Sequence, residues 1–197
     1  MVAGYHLIWT AYSWWLPNDP RGSTSGGVII KPIAQLGPHH YGRKAIQPSS
    51  QDLGKFYNKA RQVLKHELLT FDNEDIACIA CGFARAIRER RYTCYACAVM
   101  PDHVHMLIRK HRDKAERMIE NLQRQSWTSL IAAERRPADH PVWGGPGWKV
   151  FQNSRQQIES TIKYIRRNPL KIGRPIQEWE FVRPYDGWLP GRRPGGT

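Results

Sequence analysis

Acidic side chains are scarce in this chain: 17 Asp and Glu stand against 30 Lys and Arg, a formal net charge of +13 over 197 residues. The excess recurs along the chain, through Arg85, Arg88, Arg90 and Arg91, then Arg109, Lys110 and Arg112, then Arg166, Arg167 and Lys171. Runs of this kind with few compensating acids favour a polyanion as partner. Long apolar runs are missing too, and the first residues lack a charged segment followed by an apolar one. Neither a membrane span nor an export signal is therefore expected, and the chain reads as cytosolic. No internal repeat is visible.

Cysteine is sparse, with four residues in two C-x-x-C pairs, Cys78/Cys81 and Cys94/Cys97. That spacing resembles a pair of zinc knuckles. Cys78 and Cys81 fall on a helical run with apolar neighbours. Cys94 and Cys97 fall in a strand, where an odd spacing sends the two sulfurs to opposite faces. Buried free thiols are the expectation, and zinc is not.

What is present suits one domain over residues 1–190, with a loop insertion at 17–50 and a disordered-looking tail at 191–197. Eight Trp and eight Tyr offer stacking surfaces for unpaired bases, although some must belong to the core. Residues 5–15 read as a first strand. Residues 17–50 are Pro-, Gly-, Ser- and His-rich and unusually long for a connection. An apolar stripe of Leu53, Phe56, Tyr57, Ala60, Val63 and Leu64 makes 52–69 a helix, and a second runs from Asp72 to about residue 91. Strands at 92–99 and from 103 follow, joined by a turn at Pro101-Asp102. A helix over 114–133, a Pro/Gly-rich loop over 136–147, a short strand over 148–151 and a helix over 155–167 complete the order. Strands separated by helices around a central hairpin give an α+β class, an antiparallel ferredoxin-like sheet with helices packed on it.

Two segments carry chemistry. In Met100-Pro101-Asp102-His103-Val104-His105-Met106-Leu107-Ile108, strand alternation brings His103 and His105 out side by side, while Val104, Met106 and Ile108 face a core. Two imidazoles aimed at one point form half of a divalent-metal site. In the helix over 155–167, Ile158, Ile162 and Ile165 form the docking stripe. Tyr164 and Asn168, four apart, share a face beside it, with Gln157 on the same side. Lys163, Arg166 and Arg167 occupy the remaining surface and are free to meet phosphates. A phenol that loses its proton is a competent nucleophile and forms an aryl phosphate that stores the energy of the broken bond. A cation on the imidazoles polarises the phosphate, and the Asn168 amide oxygen is placed to complete the ligation. An amide oxygen and a phosphate oxygen tilt that cation towards Mg²⁺ or Mn²⁺.

The histidine strand with its preceding Met-Pro-Asp, and Tyr164-Ile165-Arg166-Arg167-Asn168-Pro169-Leu170-Lys171, resemble the single-tyrosine HUH transposases, and within them the REP-associated tyrosine transposases. The resemblance implies a nucleoid-associated enzyme that cleaves and rejoins single-stranded DNA at the foot of a hairpin. The tyrosine attaches to the 5′-phosphate and frees a 3′-OH, which later rejoins strands without a nucleotide cofactor. Carried over by motif, His103 and His105 are metal ligands, Tyr164 the nucleophile and Asn168 the third ligand, where many relatives have glutamine. Arg109 and Lys110 join Lys163, Arg166 and Arg167 as candidate DNA contacts. Whether Tyr164 serves its own histidines or those of a second subunit in a homodimer stays open. Two other readings are a catalytically retired hairpin-binding protein and a zinc-containing nucleic-acid-binding module. Both intact motifs weigh against the first, and the cysteine placement weighs against the second.

Overall fold

In the computed structural model, which describes residues 1–23 and 31–191, two alternating segments meet at the centre of a sheet. Strand β1 (Gly4–Thr10) sends Leu7 and Trp9 into the main core, leaving His6 and Ile8 to the opposite face. Strand β3 (His103–Arg109) lies antiparallel to it, Thr10 opposite His103 and Gly4 opposite Arg109. Strand β2 (Cys94–Val99) flanks β3 and strand β4 (Trp148–Gln152) flanks β1, giving the order β2-β3-β1-β4. Both β1 and β2 are antiparallel to the β3 strand between them. This is the split β-α-β arrangement of a ferredoxin-like sheet, as the sequence pattern predicts.

Among the described residues five α-helices accompany the sheet: α1 (Lys31–Ala34), α2 (Ser50–Val63), α3 (Asn73–Arg90), α4 (Ala115–Ala132) and α5 (Arg155–Arg167). Helix α3 begins in a capping box between Asp72 and Asp75, and Arg91 closes it in the left-handed region at φ 58°. Helices α3 and α4 bury Phe83, Met118 and Leu122 against Leu7, Trp9 and Met106. They approach closely because residue 82 is glycine: a Cβ there would lie 2.4 Å from the Ser126 Cα. On the other face, α5 sets Ile158 and Ile165 against Ala96, Ala98 and Leu107, with Ile162 partly covered. The docking stripe read from the sequence is the one used.

Three expectations shift. The first strand ends at Thr10, not residue 15, because Ser13 and Trp15 adopt φ of 65° and 58°, which no strand accommodates. Helix α2 ends at Val63, not residue 69, where Leu64 turns extended. Its buried face, Phe56, Tyr57 and Ala60, joins Leu16 and Ile33 in a separate small core. The 17–50 insertion thus carries structure of its own; its residues 24–30 lie outside the described residues, as do 192–197 of the tail. Finally, a β-bulge between Cys94 and Ala96 shifts the register of β2. The extra residue puts Cys94 and Cys97 in the same core cluster, so the odd-spacing argument for opposite faces fails.

Candidate active site

The sheet face that α5 covers holds a cluster of rings near the C-terminal end of that helix. His105 is buried, and its ring centroid lies 4.8 Å from that of His103 and 5.4 Å from that of Tyr164. The two histidines emerge together because positions 103 and 105 alternate with Val104 and Met106, both fully buried on the other face. Each imidazole is held through its Nδ1. The Asp102 carboxylate lies 2.6 Å from His103 Nδ1, and His6 Nε2 lies 3.0 Å from His105 Nδ1. Neither Nε2 has a hydrogen-bond partner among the described residues. Anchored Nδ1 atoms and open Nε2 atoms are the arrangement that metal-ligating histidines adopt.

Burial keeps the inner rings neutral. Desolvation lowers His6 to about 4. Desolvation first, then the charges of His103, His6 and Lys171, lowers His105 to about 2. A neutral imidazole presents the lone pair that a cation needs. The Asp102 carboxyl, though penalised by burial, sits below its ordinary value because His103 stabilises the carboxylate.

Tyr164 lies on the exposed side of α5, 45% accessible, with its ring over the histidines of its own chain. Lys171, carried round by the 3₁₀ turn Pro169–Ile172, places Nζ 4.3 Å from the Tyr164 ring centroid. Asn168 is buried at the end of α5, where Nδ2 donates to the Tyr164 carbonyl at 3.2 Å. Its Oδ1 accepts from Lys171 Nζ at 3.1 Å, so the amide oxygen faces an ammonium in this arrangement. The two imidazoles have the donor chemistry for a divalent cation, and the Asn168 oxygen keeps a second lone pair beside the one Lys171 uses. Lys163, Arg166 and Arg167 are exposed beside Tyr164.

Other predicted residues lie elsewhere. Gln157 shares the Tyr164 face of α5 but lies seven residues away at the far end of the helix, where it accepts from the Asn153 N–H at 2.7 Å. Arg109 and Lys110 sit at the opposite end of β3 from His103, six residues or about 20 Å away. There Arg109 stacks on Trp188, its Cζ 3.8 Å from the ring centroid, and pairs with Asp186 at 3.3 Å. Cys94 and Cys97 are buried in the main core while Cys81 is exposed on α3. Desolvation pushes Cys94 up to about 12 and Cys97 well above its ordinary value, so both stay thiols. No three His, Cys, Asp or Glu side chains among the described residues converge as a metal-holding group, which separates the two cysteine pairs.

His6 is the member of the ring cluster that sequence reading missed. Its signal was a lone histidine in a strand of Tyr, Leu, Ile and Trp, on the face opposite Leu7 and Trp9. Only the register of β1 against β3, with His6 opposite Leu107, brings it beside His105.

The sequence pattern of the IS200-like transposases matches residues 58–168. That span includes both histidines, Tyr164 and Asn168, and leaves out β1 and the whole 17–50 insertion. No curated protein matches the chain. Among solved structures, a REP-associated tyrosine transposase bound to a REP hairpin is similar at 11% identity and a TM-score of 0.48, over 87% of this chain and 68% of that one.

Proposed function

From the premise that this chain belongs to the IS200-like transposase family, we propose that it cleaves and rejoins single-stranded DNA beside a hairpin, in the manner of the REP-associated members. The observation that carries the reading is the exposed Tyr164 phenol 5.4 Å, ring to ring, from a buried neutral His105 whose Nε2 is open.

Tyr164 is the nucleophile. Its oxygen attacks a backbone phosphorus, a new P–O bond forms to the 5′-phosphate, and the bond to the 3′ oxygen breaks. The electron pair leaves with that oxygen, which takes up one proton as the phenol gives one up, and departs as a 3′-OH. The phosphotyrosine keeps the energy of the broken bond, and attack by a 3′-OH reverses the step and joins strands. His103 and His105 would hold Mg²⁺ or Mn²⁺, with the Asn168 amide oxygen as the third ligand. When bound, the cation polarises the non-bridging phosphate oxygen and stabilises the charge that builds there. Asp102 and His6 fix the two imidazole rings so that both Nε2 atoms stay aimed outward. Lys171, above the phenol ring, offers its positive charge to the deprotonated oxygen and to the incoming phosphate. Lys163, Arg166 and Arg167 contact the backbone. The Tyr164 ring lies over the histidines of its own chain, which supports action in cis.

The test is incubation with a hairpin-bearing single strand and Mn²⁺, then mass spectrometry of DNA-linked peptide. The wild type yields an adduct at Tyr164, and Tyr164→Phe yields none while still shifting the hairpin in a gel. An adduct that persists in Tyr164→Phe removes the nucleophile assignment. Cleavage that survives EDTA, or that His103→Ala and His105→Ala leave intact, removes the metal.

A further inference from the structure

The turn that ends β1 is built more firmly than a connection needs, and it leaves one aromatic ring facing solvent. Trp15 is 43% exposed and belongs to neither the sheet cores nor the small core, whereas its neighbour Trp14 packs against both the main and the small core. Trp15 nevertheless sits at φ 58°, a region that bulky residues adopt only when their surroundings impose it.

The surroundings do impose it. The Trp15 backbone N–H donates to the Tyr57 hydroxyl at 2.9 Å, and the indole Nε1 donates to the Gly22 carbonyl at 2.7 Å. The Arg21 guanidinium lies against the ring, Cζ 4.0 Å from the centroid. Arg21 is in turn clamped by Asp19, through Nε at 2.9 Å and Nη2 at 2.8 Å, and by the Tyr57 hydroxyl at 2.9 Å. Asp19 itself is only 1% exposed. Gly22 completes the frame: at φ +95° a Cβ would strike the Gly42 carbonyl oxygen at 1.9 Å. The indole is thus pinned at its backbone, its edge and one face, and its accessible area has no partner among the described residues.

The turn also lies beside the histidines. The Ala11 N–H donates to the Asp102 carbonyl at 2.8 Å, and the Asp102 carboxylate holds His103. Four residues separate Ala11 from Trp15, so Trp15 is within about 14 Å of that contact, and a turn between Ala11 and Trp14 shortens the path. A rigid ring, backed by a cation and a few nucleotides from a phosphate-binding centre on a basic protein, matches the chemistry of a stacking platform for an unpaired base.

We propose that the exposed face of Trp15, backed by Arg21, stacks on a nucleobase of the single strand that flanks the hairpin and so sets the strand's path to Tyr164. The inference rests on the DNA-cleaving reading above and adds to it the base-binding site.

The experiment compares a hairpin with a single-stranded flank and the same hairpin cut flush, by fluorescence anisotropy, for wild type, Trp15→Ala and Trp15→Phe. Trp15→Ala weakens binding of the flanked hairpin by about tenfold, the effect of losing one base stack. Trp15→Phe keeps most of the affinity, and the flush hairpin binds all three alike. In parallel, flanks carrying 5-iodouracil at successive positions are photocrosslinked to the wild type, and the adduct maps to Trp15. That second measurement decides the matter should Trp15→Ala fail to fold. Equal affinity of Trp15→Ala and wild type for the flanked hairpin overturns the platform, as does a crosslink map without Trp15. If the wild type binds neither DNA, the DNA-cleaving reading fails and takes the platform with it.

Discussion

His105 shows how much one buried ring can be asked to do. Its Nδ1 is engaged by His6, its Nε2 is open, and burial keeps it neutral. That neutrality links stability to pH. In the unfolded chain both rings titrate at their ordinary 6.5, whereas in the fold His6 falls to about 4 and His105 to about 2. Between pH 6.5 and 4 the unfolded state therefore binds more protons than the native one. Stability is full above pH 6.5 and declines on acidification, by about 1.4 kcal/mol per pH unit for each ring that must charge. Urea titrations at pH 7.5, 6 and 5 measure this decline, and His6→Gln removes its own share of the slope. His6→Phe leaves His105 Nδ1 unanchored, and raises the Mn²⁺ concentration for half-maximal cleavage by about 10–100-fold. The sequence shows His103 and His105 because strand alternation acts within five residues. It cannot show His6, whose role depends on pairing between strands almost a hundred positions apart. Asn168 illustrates the converse. Helical spacing places it under Tyr164 correctly, yet the ammonium on its Oδ1 comes from Lys171, after the helix has ended.

At the scale of elements, helices with a long apolar stripe and a cap were legible. Helices α3, α4 and α5 fall within a residue or two of where periodicity puts them, since 3.6-residue repetition and caps are local properties. Misreadings arose where the backbone leaves the regular pattern without a glycine or proline to announce it. Trp15 and Ser13 end β1 in the left-handed region, and the bulge in β2 reverses the inference drawn from Cys94 and Cys97. The contact between α3 and α4 gives a sharper test. Gly82→Ala puts a methyl group into the Ser126 backbone, with no flexible side chain to yield. Overpacking of this kind costs about 1–3 kcal/mol, despite alanine's better helix propensity. At about 2–4 °C of melting temperature per kcal/mol for a chain of this size, calorimetry resolves it. Gly54→Ala on α2, whose Cβ meets nothing within 4 Å, is the matched control and is expected to stabilise slightly.

For the whole molecule, the excess of 30 basic over 17 acidic residues was the first observation and remains informative, though composition alone could not say where the charge collects. Part of it is spent internally. Arg135 and Arg136 both reach the buried Asp75, and Arg135 also bonds Asp72 and Glu74, tying the end of α4 to the start of α3. The Arg109 region lies at the far end of the sheet. The cations left beside the phenol are Lys163, Arg166, Arg167 and Lys171. Replacing Lys163, Arg166 and Arg167 together by Ala makes the slope of log affinity against log salt shallower by about 2, at roughly 0.7 per single-strand phosphate contact. Anisotropy titrations between 50 and 200 mM salt give the slope, and an unchanged value would place the backbone contacts elsewhere.

The rings of the site come from β1, β3 and α5, an order with a consequence for the chain as it is made. The histidine strand leaves the ribosome about sixty residues ahead of Tyr164, a lead of about 3–12 s at ordinary synthesis rates. Until then the nascent protein holds the imidazoles without Tyr164 or the cations that surround it. A chain stalled or truncated in that interval lacks α5 altogether, so errors of synthesis yield no chain in which a phenol stands beside the paired imidazoles.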